Sequence, residues 1–324
     1  MRILLTGAAG KVGSNLLPAL LERRADAAVV ALCHNRLIPE TSRVNVVRGN
    51  IADRSTAESA MAGVTHVVHM ATCKDTPDEV MDVAVKGMFW LLEAFRQSPS
   101  ARQFILIGGD ASVGHFFYPH ADPVTEKTPH MAYPGCYALS KVLEEVMLEQ
   151  YRIQYGLNTC CLRAPWIMEK DDFRYSLSFG DDIFGGPDWK SMVDAETAGK
   201  CRSQGAIPLL QDPQGKPVKR NFVHVEDLVE AILLALDNPA ARGKLYNICM
   251  DEPVDYGEVA QYLKRTRGLP SISIKSPYHS NWMDNSKAKF DLGWAPRHDT
   301  GALVEAAWSY QRAAGDPRKV WYPG

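Results

Sequence analysis

The stretch Thr6-Gly7-Ala8-Ala9-Gly10-Lys11-Val12-Gly13 constrains this chain more than any other. It follows Arg2-Ile3-Leu4-Leu5, a short apolar strand, and precedes Ser14 to Leu21, which reads as a helix. The three glycines have separate physical uses. Gly7 permits the tight turn out of the strand, Gly10 lets backbone approach a pyrophosphate, and Gly13 lets the helix lie close on the sheet. Unpaired N–H groups at the helix start then face the anion. The spacing is G-x-x-G-x-x-G rather than G-x-G-x-x-G. A glycine-rich turn without a ligand has the same letters, but the strand before it and the helix after it favour phosphate binding.

The first half of the chain alternates strand and helix patterns. Val29–Leu32, Val44–Val47, His66–Ala71, Phe104–Ile107 and Thr159–Leu162 read as further strands. Val80–Phe95 and Tyr137–Ile153 carry apolar residues at helical spacing. Apolar strands that do not alternate, separated by helices, predict a doubly wound parallel sheet covered on both faces, of the α/β class. After Arg163 the pattern changes. Residues 169–217 are rich in Gly and Pro, and their aromatics (Phe173, Tyr175, Phe179, Ile183, Phe184, Trp189) argue against disorder. This stretch reads as a loop-rich part of a smaller substrate lobe. Order returns with Asn221–Val225, a helix from Glu226 to Leu236, a strand at Lys244–Ile248 and terminal helices.

Composition removes several function classes. With 324 residues, 46% hydrophobic, the chain has ample material for a large core. A net charge of -2 gives no basic field for nucleic acid or an anionic membrane. No apolar run approaches the roughly 20 residues that span a bilayer. The N-terminus opens directly on a strand with no signal peptide, so a cytoplasmic location is the expectation. Seven cysteines without a C-x-x-C pair predict neither a disulfide framework nor a zinc site. His115, His120, His130 and His224 show no ligand spacing, and no metal is expected.

Tyr137-Ala138-Leu139-Ser140-Lys141 places a phenol and an ammonium four residues apart at the start of a helical run. That spacing puts both on one helix face. The ammonium favours phenolate over phenol, which makes the pair a tuned acid and base.

With both motifs placed, the chain resembles an extended short-chain dehydrogenase/reductase, and within it the NAD-dependent epimerase/dehydratase family acting on nucleotide sugars. Thr6–Gly13 matches TGxxGxxG. His69-Met70-Ala71-Thr72 stands where the family has its strand end beside the nicotinamide ribose. Tyr137 and Lys141 match YxxxK, and Leu162-Arg163-Ala164-Pro165 matches LRxxN up to its last residue. Lys219–Asp227 resembles RDFxHVxD, and Lys287–Pro296 resembles KAxxxLGWxP. The resemblance implies a Rossmann domain over 1–165, with part of 219–250 returning to it, and a C-terminal α/β substrate lobe over 166–324. It implies NAD or NADP held by Gly7, Ala9, Gly10, Lys11, Val12, Gly13, Arg36, Asn50, Ile51, Met70, Ala71, Thr72, Tyr137, Lys141 and Pro165. It also implies a sugar or nucleotide-sugar substrate and a homodimer formed through Val80–Phe95 and Tyr137–Ile153.

The departures from that pattern are specific. The fifth strand of the family ends in a Ser/Thr-rich stretch that supplies a hydroxyl to the reacting oxygen. Here Ile107-Gly108-Gly109-Asp110-Ala111-Ser112-Val113-Gly114 puts Gly109 at that place. Asp110 and Ser112 are the candidate replacements. Asp110 also falls where 4,6-dehydratases carry an acid, but Ala111 stands at the adjacent glutamate position. No acid follows the second strand; Arg36 there would suit a 2′-phosphate and NADP, or would simply be solvated. Asn50 replaces an adenine-contacting Asp. Arg220 matches the arginine that grips the substrate diphosphate, or else pairs with Asp227 or Glu226. Trp166 takes the place of the family's sugar-binding Asn, either stacking on a sugar or filling the lobe interface. Lys74 and Ser112 complete the candidate substrate contacts.

Three functions fit these residues. The leading one is a nucleotide-sugar epimerase or dehydratase using Tyr137 for proton transfer. The second is a net NAD(P)-dependent dehydrogenase or reductase. The third is a non-catalytic dinucleotide sensor, against which Tyr137 and Lys141 both argue.

Overall fold

The computed structural model describes residues 1–73, 76–180 and 187–316. The first lobe runs β1 (Arg2–Thr6), α1 (Lys11–Arg23), β2 (Ala28–Cys33), β3 (Val44–Arg48), α2 (Arg54–Ala60), β4 (His66–His69), α3 (Pro77–Val80), α4 (Gly87–Gln97), β5 (Gln103–Gly109), α5 (Cys136–Tyr155) and β6 (Thr159–Ala164). The chain continues through β7 (Trp166–Met168), α6 (Asp172–Ser176), α7 (Ala195–Gln204), β8 (Ile207–Gln211), β9 (Lys219–Arg220), β10 (Phe222–His224) and α8 (Val225–Ala235). It ends with β11 (Lys244–Asn247), β12 (Val254–Asp255), α9 (Tyr256–Arg267), β13 (Ser271–Lys275), α10 (Ser286–Leu292) and α11 (Thr300–Ser309).

Seven parallel strands form the central sheet in the order β11-β6-β5-β4-β1-β2-β3. The strands are buried on both faces, which is why their sequences run apolar without alternation. Ile3, Leu5, Val29, Ile105 and Leu162 meet Leu16 and Leu20 of α1 and Leu228 and Ile232 of α8. Leu4, Val30, Val67, Phe104 and Leu106 point the other way, onto Ala57 of α2, Met88 and Leu92 of α4 and Leu148 of α5. The strand order reverses at β1, with β2 on one side and β4 on the other. A crevice for a ligand therefore opens at the carboxyl ends of β1 and β4.

The second lobe has its own core, built from Trp166, Phe173, Leu210, Phe222, Tyr256, Leu263 and Leu303. Its strands pair two by two: β7 with β10, β8 with β13, and β9 with β12. Residues 169–217 are more regular than their glycines and prolines suggest, for they contain α6, α7 and β8. The breakers sit where they do no harm. Gly205 ends α7 in a left-handed conformation (φ 61°). Pro208 pairs with Ile272 of β13, and the other backbone contacts of β8 fall at Leu210 and Gln211, so its missing N–H breaks no second ladder among the described residues.

Two boundaries moved for local reasons. The fourth strand stops at His69, because the N–H groups of Met70 and Ala71 donate to Thr6 Oγ1 instead of to a ladder. The helix expected over Val80–Phe95 extends from Pro77 to Gln97 and passes through a π-helical turn at Met81–Lys86. Gly87 follows that turn, and a Cβ there would lie 2.8 Å from Ile51 Cγ2.

Two histidines lie buried at strand ends. Burial, aided by the charge of Lys141, holds His69 down to about 3. Burial and the neighbouring His298 hold His224 down to about 4. Both rings stay neutral in the fold yet take up a proton in the unfolded chain below about pH 6.5. The unfolded state then binds more protons, so stability falls as pH drops from about 6.5 toward the folded values. The slope is about 1.4 kcal/mol per pH unit for each ring. Guanidinium unfolding between pH 7 and 5 should show this loss. His224→Asn, whose amide oxygen can replace Nδ1 as acceptor of the Glu226 N–H at the start of α8, should make the slope shallower; an unchanged slope excludes His224 as a contributor.

A second expectation concerns Gly13, where an added Cβ would sit 2.5 Å from Gly7 O and 2.6 Å from Ala8 Cα. Both neighbours are backbone and cannot yield. Gly13→Ala should cost about 1–3 kcal/mol or more of unfolding free energy, read from the denaturation midpoint.

Candidate active site

The glycine loop is tied down at its base by one hydroxyl. Thr6 Oγ1 accepts from the N–H groups of Met70 (3.0 Å) and Ala71 (3.1 Å). Its own proton is then donated to His69 Nδ1 at 2.8 Å, which suits a neutral His69. Gly7 adopts φ 69°, and a Cβ there would meet Met70 C and Ala71 N at 3.0 Å. The loops after β1 and β4 thus touch backbone to backbone, and a side chain at Gly7 would push them apart. Gly10 donates to Gly7 O at 2.9 Å and closes the turn. The amides of α1 are left facing outward, the arrangement that binds a pyrophosphate.

Helix α5 carries the acid pair. It starts at Cys136 and stops at Gly156, which is left-handed at φ 67°. Glu145, on its buried side, fixes its position. Glu145 accepts from Arg163 Nη2 (2.6 Å) and Nε (3.0 Å), Ser112 Oγ (2.8 Å) and His130 Nε2 (2.9 Å). Burial alone would raise this carboxyl, but the hydrogen bonds from His130, Arg163 and Ser112 overcome it and hold Glu145 at about 2. Four donors on one carboxylate lock α5 against β5 and β6. Tyr137 and Lys141 then bracket Gly109. A Cβ on Gly109 would lie 3.6 Å from Lys141 Cδ and 3.7 Å from the Tyr137 hydroxyl, in ordinary contact. A serine or threonine would fit there and reach the phenol. Gly109 therefore occupies the place of the absent hydroxyl.

Lys141 is buried, with Nζ 5.7 Å from the centre of the Tyr137 ring. It also donates to Glu144 Oε2 at 2.7 Å. Burial raises the Glu144 carboxyl against the pull of Lys141. Glu144 and Glu145 were not among the expected site residues, although acids three and four positions beyond Lys141 carried the signal.

The two candidate replacements for the hydroxyl end differently. Ser112 is fully buried and donates to Gly109 O and Glu145 Oε1. It braces the turn and lies off the cleft wall, so the expectation that it touches substrate is corrected. Asp110 does line the cleft, with its carboxylate hydrogen-bonded to His115 Nδ1. His115 shares the same wall and was missed, because its link to Asp110 depends on a turn that the sequence does not announce.

Across the cleft, Arg220 is 3% exposed, and its guanidinium carbon lies 4.1 Å from the Trp166 ring centre and 4.5 Å from that of Phe116. Nε and Nη1 find no hydrogen-bond partner among the described residues. The alternative, a pairing with Asp227 or Glu226, is not formed: Glu226 is exposed and lies 3.8 Å from His298 Nε2. Asp227 accepts instead from the N–H groups of Arg297 and His298 and from His298 Nδ1. A desolvated guanidinium with spare donors has the chemistry to take an anion. Trp166 covers one face of it and stacks on Phe222, 5.6 Å between centres, which fills the lobe interface. Pro165, Val12, Met70 and Thr72 complete the wall on the glycine-loop side.

The remaining expected residues are placed as follows. Ala9 lies in the glycine loop between Gly7 and Gly10. Lys11 turns its side chain away from the loop's anion face, donating to Ile167 O (2.9 Å) and pairing with Asp172 (2.6 Å). It ties the loop to the second lobe and leaves the backbone of Lys11 in the glycine turn. Arg36 stands exposed beyond β2. Asn50 spends its oxygen on the Ala52 N–H (3.0 Å), while Ile51 packs into the core. Lys74 lies outside the described residues. His224, Glu226 and His298 come close enough for a metal, a grouping invisible in their spacing. Yet His224 Nδ1 accepts from the Glu226 N–H at 3.3 Å, which leaves the proton on Nε2 and sets that ring against ligation.

The crevice at the glycine turn meets a cleft that holds Tyr137, Lys141 and the desolvated Arg220. Comparisons with known proteins show the family. The chain is 24% identical to UDP-glucose 4-epimerase of Corynebacterium glutamicum, over 98% of this chain and 97% of that protein. Its fold is similar to a short-chain dehydrogenase/reductase superfamily protein from Agrobacterium tumefaciens crystallised with bound NAD (TM-score 0.80, 24% identity, covering 95% of this chain and 96% of that one). It is also similar to UDP-glucuronic acid 4-epimerase from Bacillus cereus in complex with UDP-glucuronic acid and NAD (TM-score 0.74, 19% identity, 96% and 98% covered). The NAD dependent epimerase/dehydratase family profile matches residues 3–168 and 182–249, and the chain belongs to that family.

Proposed function

We propose that the protein is an NAD-dependent epimerase of a nucleotide-linked sugar. One observation carries the reading: the Tyr137 hydroxyl and Lys141 flank Gly109 in the cleft that Arg220 closes on the other side. The glycine cradle at Gly7, Gly10 and Gly13 has the close backbone packing that a dinucleotide needs. Bound NAD supplies a hydride acceptor and donor at nicotinamide C4. Tyr137, as phenolate, takes the proton of the sugar hydroxyl and later returns it. Lys141 supports the phenolate and holds ribose hydroxyls. Arg220 grips the substrate's phosphates, a charge-assisted contact strengthened by burial. Dehydration is less well supported, since Asp110 is committed to His115 and Ala111 offers no carboxyl.

A net dehydrogenase remains the second reading, favoured by the bare Gly109. Purified protein incubated with NAD and UDP-glucose, UDP-galactose or UDP-glucuronate separates the two. Epimerisation gives the C4 epimer by NMR without build-up of NADH absorbance; stoichiometric NADH establishes the dehydrogenase instead. Tyr137→Phe should lower kcat by on the order of 10²–10⁴-fold while NAD binding persists. Arg220→Met should raise KM by roughly tenfold or more with kcat less affected. Full turnover by Tyr137→Phe would sink the mechanism.

We also propose a homodimer through α4 and α5. Phe89 on α4 and Leu139, Val146 and Ile153 on α5 are exposed apolar residues, Ile153 at 57%. Leu139→Glu with Val146→Glu should give a monomer in size-exclusion chromatography with light scattering. A wild-type monomer at micromolar concentration would overturn this. The seven cysteines form no disulfide among the described residues, which suits a reducing, cytoplasmic compartment.

A further inference from the structure

We propose that Asp110 selects the sugar: its carboxylate accepts a hydrogen bond from a hydroxyl of a neutral hexose and turns away a sugar that carries a carboxylate of its own. The proposal rests on the epimerase reading above and narrows its substrate to the nucleotide-linked neutral sugars.

The turn after β5 delivers the acid. Asp110 follows Gly109 directly and opens a 3₁₀ turn, Asp110–Val113, which Gly114 closes in a left-handed conformation at φ 85°. Gly109 faces the Tyr137 hydroxyl and Lys141, so the acid stands beside the reacting end of the cleft. Asp110 is 8% exposed and lines that cleft. One of its oxygens is spent. Oδ2 hydrogen-bonds His115 Nδ1, while Oδ1 has no hydrogen-bond partner among the described residues. His115 also returns its backbone N–H to Asp110 O at 3.1 Å, so ring and main chain together hold the acid in place. A largely desolvated oxygen with open lone pairs is satisfied by a donor from the ligand, and a sugar hydroxyl is such a donor.

The rest of the cleft sharpens the choice. Asp110 is the only acid among its described lining residues. Phe117 stacks on Tyr133 at 4.3 Å between ring centres, and Tyr278 lies 4.2 Å from Phe116, so much of the wall is aromatic. Aromatic rings cover C–H surface and supply no counter-ion to an anion. Lys141 and Arg220 line the same cleft, but Lys141 donates to Glu144 Oε2 at 2.7 Å, and Arg220 meets the substrate's phosphates. A carboxylate on the sugar would then face Asp110 without a cation of its own, and it brings no O–H to Oδ1. A hydroxymethyl group in its place brings one. Selectivity of this kind comes from what the site rejects as well as from what it holds.

The test compares UDP-glucose and UDP-glucuronate, which differ only in that group, on NAD-loaded wild type and Asp110→Asn. Asparagine keeps the shape and an acceptor oxygen and loses the charge. Turnover is read by NMR, and affinity for each sugar by calorimetric titration. Wild type should favour UDP-glucose in kcat/KM by about tenfold or more, and Asp110→Asn should narrow that ratio by about tenfold. Damage to the turn alone would weaken both sugars alike and leave the ratio in place. An unchanged ratio, or a wild type that prefers UDP-glucuronate, therefore overturns the proposal. If wild type converts neither sugar, the functional reading fails, and the two affinities decide Asp110 separately. Tighter UDP-glucose, with the gap narrowed in Asp110→Asn, supports the proposal. Equal affinities, tighter UDP-glucuronate, a gap that Asp110→Asn leaves unchanged, or no binding of either sugar overturns it.

Discussion

The cleft depends on one carboxylate. Glu145 is buried in α5 and collects hydrogen bonds from β6 through Arg163, from the turn after β5 through Ser112, and from His130. A buried charge persists only when its partners are in place, so these elements have one mutual arrangement. That arrangement sets the register of α5, and about one and two turns earlier on the same helix it sets Lys141 and Tyr137 against Gly109. Loss of any one donor would leave a desolvated carboxylate at the centre of the site, which is why the helix cannot slide without cost.

Around this frame the site distributes charge in a particular way. Lys141 stands between a phenol and a buried carboxylate, and each shares its ammonium. Asp110 is matched with His115, and Asp227 is satisfied by backbone and by His298. Arg220 is the exception: it is desolvated by Trp166 and Phe116, and two of its donors are unspent among the described residues. Such a guanidinium is costly without a counter-ion and becomes favourable with one.

Much of this was legible in the linear chain. The glycine spacing, the unalternating apolar strands and the Tyr137–Lys141 interval each follow from local geometry, with backbone clearance, two-sided burial and helix periodicity as the physical rules. That Gly109 brings no side chain to the strand end beside Tyr137 was legible too, since a fixed offset from Gly114 carries along a strand end. Less visible were the roles of Lys11 and Ser112. Both sit at the expected places in the motifs, yet Lys11 points at Asp172 and Ser112 at Glu145, because the direction of a side chain depends on partners more than thirty residues away.

The sequence by itself determined the class of fold, the phosphate-binding turn and the presence of an acid pair, because these rest on contacts between neighbours along the chain. Tertiary structure decided what lines the cleft around that pair. His115 reaches Asp110 only through two successive left-handed residues, and Arg220 loses its water only when Trp166 and Phe116 close from separate elements. Those contacts arise from packing between distant segments, and spacing along the chain carries no record of them.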